Sequence, residues 1–162
     1  MRFEQLDITS LPAINHVISE ATAAWPLPER FKRLATPALH YMSSDFDGFE
    51  FVGACKDHEL LAVAAWGESG LHLGPAGQRG ALLHGLYVAA AHQRGGIGCA
   101  LLEHVAMLAR RNSAPGLLVK AQRVSVAFFK KAGLSAMPLA AYPHSFWLAL
   151  QTHQFGDRAH SA

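Results

Sequence analysis

The sequence predicts an α/β domain, in which a mixed central sheet of about six to seven strands is flanked by about four helices. Three observations support this fold class. The apolar run 81–88 precedes a glycine-rich loop, and apolar residues at helical spacing follow that loop. Residues 49–56 and 60–66 are short apolar runs joined by a polar turn, which is the pattern of an antiparallel hairpin. A further apolar run, 117–121, again precedes a helical segment.

The composition is that of a globular domain. The 162 residues are 51% hydrophobic and 16% charged, which predicts one domain over residues 1–151 and a frayed tail over 152–162. A net charge of +2 is too small to predict nucleic-acid binding. The apolar runs are short, so we expect no membrane span. The N-terminus lacks the basic-then-apolar layout of a signal peptide, which predicts a cytoplasmic location.

Cysteine and histidine usage argues against two further kinds of site. Cys55 and Cys99, the two cysteines, form no C-x-x-C motif and predict no disulfide framework. The ten histidines are scattered, without the H-x-x-x-H spacing of a zinc-binding helix, so we expect no metal site.

The N-terminal segment predicts a short strand followed by a helix. Residues 3–8 carry spaced apolar side chains, and Thr9 or Ser10 can then cap a helix that has Pro12 in its first turn. Pro26 is expected to end that helix. The apolar stripe of this helix consists of Leu11, Ile14, Ile18, Ala21 and Trp25.

A second helix is expected to begin near Pro28 and to be broken or kinked at Thr36-Pro37, since proline removes a donor and clashes with the preceding turn. Its apolar residues are Phe31, Leu34, Leu39 and Met42. Between the hairpin and the central strand, residues 67–80 contain five glycines and little periodicity, which predicts a flexible loop.

The remaining elements follow the glycine-rich loop. A helix is expected over residues 96–111, and its basic last turn suits the negative end of the helix dipole. After the strand 117–121, a helix over 122–132 is expected to close at Gly133. Residues 144–150 predict a last strand.

The loop that closes on Gly95, Gly96 and Gly98 is a candidate anion-binding site. The first N–H groups of a helix have no partner within the helix, and the helix dipole adds partial positive charge there. Glycine removes the Cβ that would keep a phosphate away from these groups. The loop therefore predicts a phosphorylated ligand.

Two familiar phosphate-binding motifs do not fit this loop. A P-loop needs a lysine and then a serine or threonine after the last glycine, where this chain has Cys99 and Ala100. A dinucleotide-binding site needs a third glycine where Leu101 stands, and a carboxylate about 20 residues further on. The next strand ends in Lys120-Ala121-Gln122, without a carboxylate.

The motif Gln93-Arg94-Gly95-Gly96-Ile97-Gly98 resembles the Q/R-x-x-G-x-G/A signature of the GCN5-related N-acetyltransferases (GNAT family). The strand 116–121 follows at the expected distance. The helix ending Phe128-Phe129-Lys130-Lys131-Ala132-Gly133-Leu134 is similar to the family's F-Y-x-K-x-G-F ending. The resemblance covers residues 81–134 well and the rest only by the order of elements.

This resemblance implies acetyl-CoA as co-substrate, no metal, and a sheet that splays apart at the cofactor slot. The residues that it assigns to the cofactor are Leu86, Tyr87, Val88, Gln93, Arg94, Gly95, Gly96, Ile97, Gly98, Cys99, Gln122 and Phe129. The diphosphate would lie on the N–H groups of residues 94–99, and the pantetheine amides along the backbone of 86–88. Weaker candidates for the adenosine 3′-phosphate are Arg123, Lys130 and Lys131.

The resemblance also implies the chemistry, with one departure from the family. The Val88 N–H would bind the oxyanion of the tetrahedral intermediate. The family usually has a tyrosine that protonates the leaving thiolate, and Phe129 stands in its place. Because phenylalanine has no proton to give, Tyr142 is a candidate substitute, unless the thiolate leaves unaided. A packing role for Tyr142 is the competing interpretation.

His84 is the candidate base that removes a proton from the attacking amine. It lies in the central strand, four residues before Val88, where many GNAT relatives carry a glutamate. The imidazole pKa near 6.5 suits this task. A packed core histidine is the competing interpretation, and the fallback candidates are His72, Glu68 and His40.

The acceptor pocket is less defined, with Trp25, His40, Tyr41 and Trp66 as candidate lining residues, each of which could equally be a core residue. Few acids lie near these segments, which disfavours polyamines and aminoglycosides as acceptors.

Two hypotheses stand: an acetyl-CoA-dependent N-acetyltransferase acting on a small or protein amine, and a catalytically weak acyl-CoA sensor of the same fold. Phe129 favours the sensor, and the glycine loop with His84 favours the enzyme. A homodimer is left open.

Overall fold

A computed structural model describes residues 1–150, apart from the side chains of residues 69–73. The predicted tail 152–162 and the fallback base His72 therefore lie outside the described residues. Within the described residues the chain forms a seven-stranded mixed sheet with helices on both faces. The predicted fold class is confirmed. Among residues 1–150, no helix has the length and apolar character needed to cross a membrane.

The elements have the following bounds. The strands are β1 (Arg2–Leu6), β2 (Glu50–Lys56), β3 (Glu59–Leu73), β4 (Arg79–Val88), β5 (Gly116–Lys120), β6 (Ser135–Ala136) and β7 (Ser145–Ala149). The helices are α1 (Leu11–Ala23), α2 (Glu29–Leu39), α3 (Ile97–Arg111) and α4 (Val126–Lys131).

The sheet order is β1-β2-β3-β4-β5-β7-β6. The β4–β5 pair is parallel, with α3 as its crossover, and the other neighbours are antiparallel. One core lies between the sheet and the α3 side, around Leu101, Val105 and Phe129. A second core lies on the opposite face, where α1 contributes Ile14 and Ile18.

The two N-terminal helices differ from their predicted ends. The Asp7 carboxylate accepts a bond from the Thr9 N–H and so caps the 3₁₀ turn before α1, whereas the predicted cap Ser10 makes no side-chain bond. The helix α2 continues through Pro37 to Leu39, so of the predicted break or kink at this proline the break is wrong. None of its residues is buried, and the predicted apolar face is largely exposed, with Phe31 at 57% and Leu34 at 70%.

The glycine-rich segment 67–80 is not the predicted flexible loop. β3 continues to Leu73, and a short turn over 74–78 leads directly into β4. Two of its glycines have a packing role, since a Cβ at Gly74 or at Gly80 would collide with the Trp147 ring. A Cβ at Gly116 on β5 would collide with the same ring, so these glycines form a slot for Trp147.

The last helix is shorter than predicted but ends as expected. A 3₁₀ turn over Arg123–Ser125 precedes α4, which replaces the predicted helix over 122–132. Gly133 has a φ of 88°. The Gly133 N–H bonds the Lys130 carbonyl and the Leu134 N–H bonds the Phe129 carbonyl, which is the Schellman pattern of a glycine-closed helix.

Candidate active site

A gap opens between the two central parallel strands. Residues 81–83 of β4 pair with residues 117–119 of β5, and the registered pairing ends at Leu83 and Val119. β4 continues to Val88 without a registered partner on that side. The sheet therefore has a slot between its two central strands, as the family resemblance implied.

His84 is the extra residue of a bulge in β4. Its neighbours Leu83 and Gly85 oppose Trp66 and Ala65, which are consecutive on β3, so His84 has no partner of its own. The bulge also shifts the alternation of side chains by one: Ala81 and Leu83 face the α3 side, and so do 86 and 88 beyond it. A bulge bends its strand, which accounts for the gap that opens next to His84.

Backbone polar groups of β4 line the gap. The Ala89 N–H bonds the Leu61 carbonyl on β3, so by the alternation of an antiparallel ladder the N–H and C=O groups of Leu86 and Val88 face the opposite way, into the gap. Those of Tyr87 face β3, so they point away from the gap, and its part in holding the pantetheine stays a prediction. Gln93 Nε2 donates to the Val88 carbonyl at 3.0 Å, which leaves the Val88 N–H toward the gap.

The glycine loop presents N–H groups at the start of α3. Arg94 and Gly96 have positive φ values, 63° and 83°. No side chain among the described residues caps this helix. Gly98 is buried, and a Cβ there would lie 3.2 Å from the Phe128 ring, so the helix start packs closely on α4. The loop thus has the exposed N–H groups, positive dipole end and close backbone access that an anion requires.

His84 lies at the edge of the gap, with one ring side packed and the other open. Its Nδ1 is 2.8 Å from the hydroxyl oxygen of Tyr41. The ring centroid is 4.4 Å from that of Phe49, while the residue as a whole is exposed. Burial of the packed side lowers the pKa of His84 below 6.5, Asp45 raises it in part, and Lys120 lowers it further. A neutral imidazole is therefore favoured at neutral pH.

Tyr41 is held firmly behind His84. It is 5% exposed, and burial raises the pKa of its hydroxyl well above the usual range, so the phenol stays protonated. The Asn15 side-chain amide exchanges two 2.9 Å hydrogen bonds with the Tyr41 backbone. Gly85 leaves room for the hydroxyl, because a Cβ there would lie 2.5 Å from the hydroxyl oxygen. The sequence suggested Tyr41 only as a pocket residue, and neither Asn15 nor Gly85 was singled out.

Lys120 and Tyr142 lie at the same end of the gap. The Lys120 Nζ is 4.0 Å from the centroid of the Tyr142 ring, and Tyr142 is 46% exposed. Burial lowers the pKa of Lys120 below its ordinary value. From the sequence alone, Lys120 was notable only for its place at the end of a strand.

The remaining residues that the sequence singled out differ in burial and in contacts. Phe129 is 5% exposed and packs on Phe128 and Phe146, so it offers little surface to a ligand. Trp66 is buried in the core on the α3 side, which agrees with the core interpretation of this residue rather than with a place in the acceptor pocket. His40 Nε2 is 2.8 Å from the Ser19 hydroxyl. The residues Glu68, Arg94, Cys99, Gln122, Arg123, Lys130 and Lys131 are exposed, and Trp25 is partly buried.

The described side chains offer no metal centre. Across residues 1–150, side chains of 69–73 aside, no group of three or more His, Cys, Asp or Glu residues is placed to hold a metal ion.

A family model matches the part of the chain that contains this candidate site. The model described as "Acetyltransferase (GNAT) family" matches residues 14–134, which span α1 through the end of α4 and include the bulge and the glycine loop. No curated protein sequence matches the chain.

Solved structures with the same fold include several acetyltransferases. The PaiA N-acetyltransferase of Thermoplasma acidophilum, in complex with coenzyme A, is 17% identical, with a TM-score of 0.73 over 92% of this chain and 99% of that one. A GNAT family acetyltransferase of Brucella melitensis, in complex with acetyl-CoA, is 17% identical, with a TM-score of 0.65 over 93% and 88%. The ribosomal-protein-S18-alanine N-acetyltransferase of Escherichia coli is 19% identical, with a TM-score of 0.62 over 99% of each chain. At these identities the likeness establishes the fold.

Proposed function

The chain belongs to the GNAT acetyltransferase family, which uses acetyl-CoA, and on that basis we propose that it moves the acetyl group to a primary amine of a small molecule or protein. The amine attacks directly while both substrates are bound. The observation that carries this proposal is the placement of His84: a bulge puts an imidazole, bonded to a buried tyrosine, where the two central strands separate.

The cofactor fits the polar groups on the α3 side of the gap. The N–H groups of residues 94–99 suit the diphosphate, because they sit at an uncapped helix start with glycine at three positions. Pantetheine amides can bond the gap-facing groups of Leu86 and Val88 in the manner of an added strand. Gln93 is already bonded to the Val88 carbonyl, so we assign it to shaping the loop rather than to a direct ligand contact.

Proton transfer from the amine is assigned to His84. An amine is mostly protonated at neutral pH and must lose a proton before it attacks. For Nε2 to accept that proton, Nδ1 must carry its hydrogen and donate it to the Tyr41 oxygen. The buried phenol can accept this bond both before and after the imidazole is protonated, so it keeps the ring in one orientation through the reaction.

The remaining charges of the reaction are assigned to groups at the gap. The Val88 N–H, with the Leu86 N–H one pleat closer to His84, suits the oxyanion of the tetrahedral intermediate. When the carbon–sulfur bond breaks, the electron pair stays on sulfur, and we assign the proton that the thiolate then takes to the Tyr142 hydroxyl. Phe129 has no hydroxyl for this role.

A second candidate function follows from Phe129. Without the family's usual proton donor, the fold can bind acyl-CoA as a sensor or interaction module and turn it over poorly. Thiol release from acetyl-CoA across a panel of amines separates the two functions. Release that depends on an amine supports the transferase, whereas binding of acetyl-CoA without release on any amine supports the sensor.

A substitution tests the base directly. His84→Ala is expected to lower kcat by about 100-fold and to leave the affinity for acetyl-CoA unchanged. His16→Ala, an exposed histidine of α1, serves as the control and should retain the wild-type kcat. An unchanged kcat in the His84 variant would remove His84 from the mechanism.

A further inference from the structure

Two opposite charges act on the His84 imidazole. They are Asp45, which favours the protonated ring, and Lys120, which disfavours it. Asp45 belongs to the 3₁₀ turn Ser43–Asp47, where its carboxylate accepts a hydrogen bond from the Met42 N–H. Lys120 is the last residue of β5, and the sheet determines its place relative to His84.

The sheet brings Lys120 to His84 at the point where the gap opens. Leu83 and Val119 form the last registered pair of the parallel ladder, so His84 and Lys120 are the first residues beyond it on their two strands. Val119 packs on the α3 side and Leu118 on the other, so Lys120 follows Leu118 on the face opposite α3. His84 also faces away from α3, since its ring contacts Phe49 and Tyr41.

This shared face is the one from which an acceptor can approach. The glycine loop and α3 lie on the other side of the gap, so the face with His84 is left for the amine. An ammonium here repels a polycation and attracts an anion. It also has three donors, so a carboxylate can bond it alongside the contacts that it already makes.

The neighbouring groups suit Lys120 to anion binding. The Tyr142 ring under its Nζ orients the ammonium without neutralising it, since a ring face carries no net charge. Hydrogen bonds between an ammonium and a carboxylate are among the stronger ones in proteins, and partial burial strengthens them.

We propose that the acceptor is a small amine that bears a carboxylate next to its amino group, of the α-amino acid class, with the carboxylate on Lys120 and the amino group at His84. This inference rests on the proposed transferase function and names its substrate class. The two groups of such a substrate are adjacent, as are Lys120 and His84, which follow the last registered pair on their two strands.

Matched acceptors test the proposal. The free α-amino acids and their α-carboxamides have nearly the same shape and differ in the negative charge. With the wild-type protein and acetyl-CoA, the best free amino acid is expected to have a kcat/KM at least about 10-fold above that of its carboxamide. Carboxamides or peptide N-termini that react as well as the free acids would overturn the proposal.

Substitution of Lys120 provides the second arm. Lys120→Met is expected to bring the acid-to-amide ratio close to one, mainly through KM of the acid, with the Kd of acetyl-CoA unchanged. Lys120→Arg keeps the charge and should retain a preference for the acid. A ratio that stays at the wild-type value in Lys120→Met would overturn the assignment of Lys120.

The acceptor panel distinguishes failure of the substrate class from failure of the transferase function. Transfer to amines without a preference for carboxylates overturns this inference and leaves the transferase intact. Binding of acetyl-CoA with no transfer to any acceptor in the panel overturns both.

Discussion

The Tyr41 hydroxyl oxygen and His84 Nδ1 lie 2.8 Å apart, although 43 positions separate the two residues in the chain. This bond joins the segment that follows α2 to the bulge of the central strand. Tyr41 is buried and clamped by Asn15, so it fixes one nitrogen of an imidazole whose other side is open to the gap. We infer that Tyr41 is a positioning residue for the base.

Removal of the Tyr41 hydroxyl should lower catalysis without loosening the cofactor. Tyr41→Phe keeps the buried ring but leaves Nδ1 of His84 without this partner, so we expect kcat to fall about 10-fold at an unchanged KM for acetyl-CoA. Steady-state thiol release measures both constants. Tyr87→Phe removes a hydroxyl from the same core and is the control. Equal kcat values in the two variants would contradict a positioning role.

The pH profile should report the charges around His84. Burial and Lys120 lower the pKa of His84 below 6.5, so the neutral base persists below that pH and the plateau of kcat/KM should extend to the acid side of 6.5. Removing the ammonium in Lys120→Met should raise the pKa and shift the acid limb to higher pH. Removing the carboxylate in Asp45→Asn should shift it to lower pH. A limb that moves in neither variant would exclude His84 as its source.

Gly85 should tolerate no side chain. A Cβ at this position would lie 2.5 Å from the Tyr41 hydroxyl oxygen, so Gly85→Ala must displace the tyrosine or the strand, at a cost of about 1–3 kcal/mol in the free energy of unfolding. Urea unfolding measures this change, and kcat should fall with it. Gly48→Ala, whose Cβ would meet nothing within 4 Å, is the control and should be close to wild type in both. Similar behaviour of the two variants would argue against this packing.

Alanine substitutions at two glycines with similar positive φ values distinguish an effect on stability from an effect on cofactor binding. Gly96 and Gly133 have φ values of 83° and 88°, and a Cβ at either would meet nothing within 4 Å. Alanine at each should cost about 1–2 kcal/mol of stability. Gly96→Ala should also weaken acetyl-CoA binding about 10-fold, because it disturbs the N–H groups at the start of α3. Gly133 closes a different helix, so the Gly133→Ala variant should bind acetyl-CoA as the wild type does.

Features that depend only on a short stretch of sequence could be predicted. The glycine loop was predictable because a helix start with bare N–H groups requires residues without a Cβ. The C-terminus of α4 was predictable for a similar reason, since Gly133 adopts a φ that other residues rarely reach. These features also carry the family resemblance that the family model confirmed.

Features that depend on distant partners were not predictable. The bulge at His84 follows from the register of β3 against β4, which no local pattern reveals. The glycines at 74 and 80 resembled a flexible loop because their partner, the Trp147 ring, lies far along the chain. Lys120 lies beside His84 because β4 and β5 pair in parallel. The sequence around Lys120 does not indicate that pairing, so its position at the site could not be predicted.

We propose above that N–H groups at the glycine-opened start of α3 hold the diphosphate of acetyl-CoA. Titration calorimetry can compare acetyl-CoA with S-acetylpantetheine, which has the same thioester arm but no diphosphate. We expect heat of binding with acetyl-CoA and an affinity at least about 100-fold weaker for the shorter ligand, since charge-assisted bonds to the loop are then lost. No heat with acetyl-CoA, or equal affinities for the two ligands, would show that the loop does not bind the diphosphate.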